Sequence, residues 1–225
     1  MSPTPENTQV ISSFPGLWKY TGKRSISADN YDWLEAKRRD DNVGDLWRVH
    51  DKLYNLSAFI QKHPGGADWI ELTRGTDITE LYEASHMINV HNVEKILEKY
   101  FVQQIHTPRN SPYTFKTDGF YKTLKRRAEP ILKSIGTGPT KQVEFAQDLL
   151  CLSYLAFTFT GAYLESIPML IIAGLILTFC TISAHNFFHL RDTKRRYYFD
   201  LCLMSSLDWR ISHAISHHMF PNTIL

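Results

Sequence analysis

Two groups of histidines in this 225-residue sequence have the types and spacing to bind iron. The first pairs His63, in His63-Pro64-Gly65-Gly66, with His86, on the far side of Asp77-Ile78-Thr79-Glu80-Leu81-Tyr82-Glu83. Neutral imidazoles on both faces of a haem would close its iron as a six-coordinate centre. Such a centre exchanges one electron with little rearrangement and leaves no open position for oxygen. A ligand on a turn must let the backbone approach a flat macrocycle. Glycines allow that approach because they lack Cβ, and Pro64 fixes the chain leaving the ligand. The second ligand is expected on a separate short helix across a small apolar pocket, which suits His86, with His91 as the fallback.

The second group lies near the C-terminal end. His185-Asn186-Phe187-Phe188-His189 puts two imidazoles four residues apart, on one helical face. His213, His217 and His218 follow in an HxxxHH pattern. Histidine is among the commonest ligands of iron, and paired imidazoles on helices at a membrane boundary can hold two iron ions.

The elements that must position these groups are short in the first half. Trp47-Arg48-Val49-His50 reads as a strand, Asp51-Lys52 as a turn and Leu53-Tyr54 as the return strand, while Leu56–Ile60 opens a short helix capped near Asn55. Further helices are expected over Ala67–Thr73, Ile78–Ala84 and Val90–Tyr100, with Asp77 as an N-cap and Glu80 completing a capping box. Residues 1–29, with Pro3, Pro5 and Pro15, read as a loose leader, and residues 30–102 as one compact domain. Residues 103–145 read as a linker and a basic helix, the helix running from Phe120 to Ile135 and ended by Gly136-Thr137-Gly138-Pro139.

Composition separates the two halves. The chain is 43% hydrophobic with a formal net charge of +2, yet Leu149 to Ala184 holds a single charged residue, Glu165. Those 36 residues would make about 54 Å of helix against a hydrocarbon core of roughly 30 Å. Two short antiparallel helices turning at Glu165-Ser166-Ile167-Pro168 fit better than one. Basic residues flank both outer ends, Lys122 to Lys141 before and Arg191, Lys194, Arg195 and Arg196 after, which places both ends in the cytosol. Cys151, Cys180 and Cys202 form no CxxC and fit a reducing compartment, and residues 1–15 carry no secretory signal. The basic residues suit a cytosolic membrane leaflet, and no motif points to nucleic acid.

The stretch from Trp47 through Leu53-Tyr54-Asn55-Leu56, Phe59 and His63-Pro64-Gly65-Gly66 to Asp77-Ile78-Thr79-Glu80 and His86 resembles the cytochrome b5 domain. The resemblance implies haem b ligated by His63 and His86, in a pocket lined or supported by Leu56, Phe59, Ile60, Leu72, Leu81 and Tyr82. It also implies that Asp68, Glu71, Asp77, Glu80 and Glu83, opposed only by Arg74, edge the haem opening and attract basic redox partners. The two C-terminal boxes, with the apolar hairpin before them, resemble the membrane fatty-acid desaturases and hydroxylases. Together the order is similar to the cytochrome b5–desaturase fusions, including the insect cytochrome b5-related group. The fold class implied is α+β: a small haem domain, then an α-helical membrane hairpin in a partial desaturase-like region over residues 146–225.

In that family an NAD(P)H-dependent cytochrome b5 reductase feeds the haem, which feeds a non-haem di-iron centre acting on an acyl lipid in the endoplasmic reticulum membrane, with the haem domain cytosolic. Its pattern has a third histidine box downstream, and this sequence stops at Leu225 after the second. Three readings of His185, His189, His213, His217 and His218 stay open. They are remnants beside a haem electron carrier, or one loosely bound metal, or part of a desaturase completed by a third box.

Overall fold

A fully buried tryptophan organises the first half of the chain, where the computed structural model describes residues 30–111 and, beyond Pro112, residues 113–220. The leader expected over residues 1–29 lies outside the described residues. The chain divides into two compact units, Met1–Gly136 with Ile215–Leu225, and Thr137–Ala214.

In the first unit β1 (Trp47–Val49) pairs antiparallel with β2 (Lys52–Tyr54), Trp47 opposite Tyr54, and β3 (Phe101–Gln104) adds to the other side of β2. The Trp47 indole donates its Nε1–H to the Ile70 carbonyl at 2.9 Å, and the Arg74 guanidinium lies 4.9 Å over the ring. Around it Val49, Tyr54, Leu56, Ile60, Ile70, Ile78 and Tyr82 form one apolar cluster. Removing an aromatic side chain from such a position costs about 3–5 kcal/mol. All three residues of β1 are buried, because its free edge is covered: Arg48 N–H donates to Thr76 O, and Ile78 N–H to Arg48 O.

The helices are α1 (Asn30–Asp41), α2 (Ala67–Glu71), α3 (Thr79–Ser85), α4 (Val90–Glu98) and α5 (Phe120–Ile135), with a 3-10 turn at Ile60–Lys62. Several differ from expectation. The hairpin turns at His50-Asp51, with His50 at φ 55°, so β2 already includes Lys52. Leu56–Ile60 opens a turn instead of a helix, and Asn55 accepts from the Ser57 N–H at 3.1 Å. The helix from Val90 stops at Glu98, which frees Phe101–Gln104 to pair with β2 across the domain boundary expected at residue 102. Asp77 is not the N-cap of α3; Ile78 is, and Asp77 accepts from the Thr79 N–H at 3.0 Å and hydroxyl at 2.5 Å. Glu80 turns away from any capping box to meet Arg109 and Ser111.

Helix α1 adds an element beyond those expected from the sequence. It buries Leu34 and Ala36, and Arg38 donates to the Leu72 and Arg74 carbonyls that follow α2, at 3.0 and 2.9 Å. Carbonyls at a helix end have no partner within the helix, and a long cation can reach them from elsewhere.

Residues 107–111, read as linker, also belong to this unit. Arg48 donates to Thr107 O at 2.7 Å, and Arg109 pairs with Asp77 at 2.7 Å and with Glu80. Burial alone would raise the Asp77 carboxyl, but Arg109 and Lys37 outweigh it and hold the group below its usual range.

In the second unit α6 (Lys141–Tyr163) and α7 (Ile167–His185) form an antiparallel pair. Ser166 N–H closes the turn on Gly161 O, and Gln147 near the start of α6 donates to Cys180 O near the end of α7 at 3.0 Å. The helices are longer than expected because α6 begins well before Leu149. Helix α7 is long and apolar enough to cross a membrane. Phe159, Tyr163, Ile171, Leu175 and Phe179 are all exposed, and apolar side chains all round a helix suit a lipid surrounding. Beyond α7, Arg195 clasps Asp148 at 2.9 and 2.7 Å, and Asp192 accepts from Arg210 at 2.6 Å. Arg195 and Arg196, read as a positive flank, thus each carry a carboxylate partner. All three cysteines are free thiols.

Arg109→Ala would strand Asp77 and Glu80, both buried. Breaking a buried pair from one side costs about 3–5 kcal/mol, so urea unfolding followed by tryptophan fluorescence should show a loss of that order. A loss below 1 kcal/mol would mean the clamp is not formed.

Candidate functional site

His63 follows the 3-10 turn that Ile60 starts, and its ring is held by its own loop. The His63 Nδ1 lies 2.8 Å from the Gly66 carbonyl. A carbonyl only accepts, so Nδ1 carries the proton and Nε2 presents a lone pair. Both glycines are required. A Cβ on Gly65 would stand 2.8 Å from His63 Cε1, and Gly66 sits at φ 122°, a region side chains avoid.

His86 terminates α3 and repeats the arrangement: its Nδ1 lies 2.8 Å from the Tyr82 carbonyl, one helical turn back. Burial lowers its pKa against the raising effect of that bond, which keeps the ring neutral as metal ligation requires. The two imidazole centroids are 6.4 Å apart. Metal–imidazole bonds of about 2 Å on each side, with each ring centre about 1 Å behind its nitrogen, would separate the centroids by about 6 Å. The pair therefore fits a bis-imidazole haem. His91, the fallback, is 77% exposed on α4 beside Glu94.

Of the expected lining residues, Leu56, Ile60 and Tyr82 are in the core cluster, and Phe59 packs on it with its ring 5.8 Å from His63. Leu72 and Leu81 are half-buried and outside that cluster. Val93, Leu97 and Tyr100 join it from α4 and the turn before β3, with Tyr100 5.2 Å from Phe59. Their i, i+4 spacing and the aromatic that follows were the available signal.

The acidic edge is corrected by the structure. Asp77, Glu80 and Glu83 are buried, and only Asp68 and Glu71 are left with surface access. Glu83, with its side chain 1% exposed, meets Lys122, Lys125 at 2.9 Å and His50 at 2.8 Å. Burial would raise its pKa, but these three hydrogen-bonding partners hold it down to about 2. The last turn of α3 is tied by the same helix: Tyr121 Oη and Lys125 Nζ donate to the Glu83 carbonyl at 3.0 and 2.9 Å. Glu129 accepts from the Asn89 N–H at the start of α4 at 3.0 Å. Two lysines of the basic helix α5 therefore turn toward α3.

In the second unit the structure brings His185, His189 and His213 together, their ligand atoms all within 4.8 Å of one another. His185 Nε2 and His189 Nε2 are 3.3 Å apart, and Trp209 stacks on His213 at 4.9 Å. His213 lies on a π-helical stretch, Arg210–His217, a form that recurs at functional sites. Three imidazoles with this convergence fit a first-row transition metal. His217 and His218, which fall in the first unit, are exposed, their rings 5.5 Å from each other.

Comparison with known proteins agrees with this geometry. Residues 31–106 match the family of the cytochrome b5-like heme/steroid binding domain. A cytochrome b5-related protein of Drosophila virilis is 39% identical over 62% of this chain and 93% of its own length. One of Drosophila melanogaster is 38% identical over 95% of this chain and 48% of its own length. The Delta(5) fatty acid desaturase A of Dictyostelium discoideum is 28% identical over 90% of this chain and 47% of its own. The chain spans about half the length of the latter two relatives. It belongs to the cytochrome b5-related proteins, in which a cytochrome b5-like haem domain is fused to a fatty-acid-desaturase-like region.

Gly65→Ala should displace the His63 ring and weaken haem binding about 10–100-fold, as read by haem titration; unchanged affinity would show the ring is free to move. The Glu83 carboxylate has its folded pKa below its usual 4.5. Its contribution, about 3 kcal/mol, is present above that value and is lost as pH falls towards 2. Urea unfolding of the haem-free chain should therefore weaken over this window, and Glu83→Gln should flatten the dependence.

Proposed function

We propose that this chain is a membrane-anchored carrier of single electrons, with haem b held between His63 and His86. The observation that carries the reading is the matched pair of imidazoles, 6.4 Å apart, each with Nδ1–H given to a backbone carbonyl. Haem, when bound there, supplies a one-electron couple at a coordinatively closed iron. The protein's part is to orient both rings, keep them neutral and surround them with Leu56, Phe59, Ile60 and Tyr82. An NAD(P)H-dependent reductase of the cytochrome b5 reductase kind would be the electron source, and Asp68 and Glu71 the accessible carboxylates for its approach. The apolar α7 and the desaturase-like relatives support an anchor in the endoplasmic reticulum membrane, with free thiols fitting a cytosolic face.

A second reading has its own observation. The convergence of His185, His189 and His213, together with desaturase relatives, supports a non-haem iron site for acyl-lipid desaturation or hydroxylation.

Purified full-length chain should give a reversible bis-imidazole spectrum, reduced by NADH with a cytochrome b5 reductase. His63→Ala and His86→Ala should each abolish it, and an unchanged spectrum in either would refute the ligand assignment. Total iron equal to haem supports the carrier reading. Iron in excess of haem, with an unsaturated or hydroxylated acyl product lost in His185→Ala while the haem spectrum survives, supports the second.

A further inference from the structure

Helix α5 is packed the opposite way to an ordinary amphipathic helix in water, polar side inward. Lys125 is buried against Glu83, Lys122 and Tyr121 reach the same residue, and Glu129 holds the Asn89 N–H. Its apolar side is left outward: Phe120 is 83% exposed, Leu124 49%, Ile131 60% and Ile135 73%. At 3.6 residues per turn these four fall within roughly 60° of arc, away from the face that Lys125 and Glu129 occupy. An uncovered stripe of this kind marks an interaction surface, since water-facing helices place charge there.

Two further observations identify the occupant. Arg127 is exposed at the edge of the stripe, about 20° round the helix from Phe120, a cation beside an apolar ridge of the kind that anionic headgroups attract. And α5 is followed, after the Gly136–Thr140 break, by the apolar pair α6 and α7, so the chain leaves it for the helix fit to cross a bilayer.

We propose that α5 is an in-plane membrane helix, its Phe120, Leu124, Ile131 and Ile135 side chains seated in the headgroup–acyl boundary of an anionic leaflet while its opposite face carries the haem unit. Such helices bury their apolar face about 5–10 Å, too shallow to span. Because Tyr121 and Lys125 hold the Glu83 carbonyl, the helix would couple the membrane surface to the element that presents His86. This inference rests on the membrane-anchored reading above.

The test uses full-length chain in nanodiscs containing phosphatidylserine, with Cys151, Cys180 and Cys202 replaced by alanine and one environment-sensitive fluorophore at Leu124→Cys or Ile131→Cys. Labels at Glu71→Cys on α2 and Ile171→Cys on α7 serve as references, and the haem absorption band reports folding. Nitroxide lipids labelled near the glycerol should quench positions 124 and 131 more strongly than lipids labelled near the chain terminus, with Glu71→Cys unquenched. Quenching at 124 and 131 no greater than at Glu71→Cys, with Ile171→Cys still quenched, would overturn the proposal and leave the anchor intact. Deep quenching at 124 and 131 would overturn it too. Loss of quenching at Ile171→Cys as well would overturn the membrane reading itself. A variant-free check is photoactivatable phosphatidylserine on the wild-type chain: adducts on Phe120, Leu124, Ile131 or Ile135 are expected, and their absence while α7 is labelled contradicts the proposal.

Discussion

Each imidazole of the proposed haem site is held by a bond from its Nδ1–H to a carbonyl of its own segment, Gly66 for His63 and Tyr82 for His86. That bond selects the tautomer, aims the ring and leaves Nε2 as the donor, so much of the first unit can be understood as holding two carbonyls still. Gly66 is fixed by a turn only glycines can form. Tyr82 is fixed by α3, whose start is bound by Asp77 and Thr79 and whose end is bound by α5. Outer partners of this kind matter to metal affinity nearly as much as the ligands do.

The carboxylates around α3 show how charge is used inside the unit. Asp77, Glu80 and Glu83 are buried with Arg109, Lys122, Lys125 and His50 as partners. Burying ions is expensive, and the attraction offsets it only when the remaining hydrogen bonds are made. Here they are, by Thr79, Ser111 and backbone groups. These bonds are directional where apolar packing is not, which suits a helix that must deliver a ring at a defined angle.

The α+β class and the family were legible through the resemblance carried by His63-Pro64-Gly65-Gly66, Asp77–Glu80 and the histidine boxes, and the extent of α5 because its glycine and proline breaks are local signals. The apolar hairpin turn at Glu165–Pro168 was equally plain. Less local features were hidden. β3 exists because Phe101–Gln104 meets β2 almost fifty residues earlier, and α1 because Arg38 reaches the carbonyls after α2. The acidic run was read as an accessible edge of the haem opening because its cations lie far along the chain, Arg109 in the expected linker and Lys122 and Lys125 in the basic helix. Within the histidine-rich end, spacing suggested five donors, and folding alone shows that His185, His189 and His213 converge.

The position of those cations bears on where the haem unit can be divided. The family match ends at residue 106, yet a fragment cut there would keep the three acids and discard Arg109, Lys122 and Lys125. Its interior would hold unbalanced negative charge, and α3 would lose the groups that finish its last turn. A piece that keeps these partners must therefore run at least to the end of α5 at Ile135. Natural shuffling of this module, or its excision for expression, should respect that electroneutral boundary over the one drawn by sequence similarity.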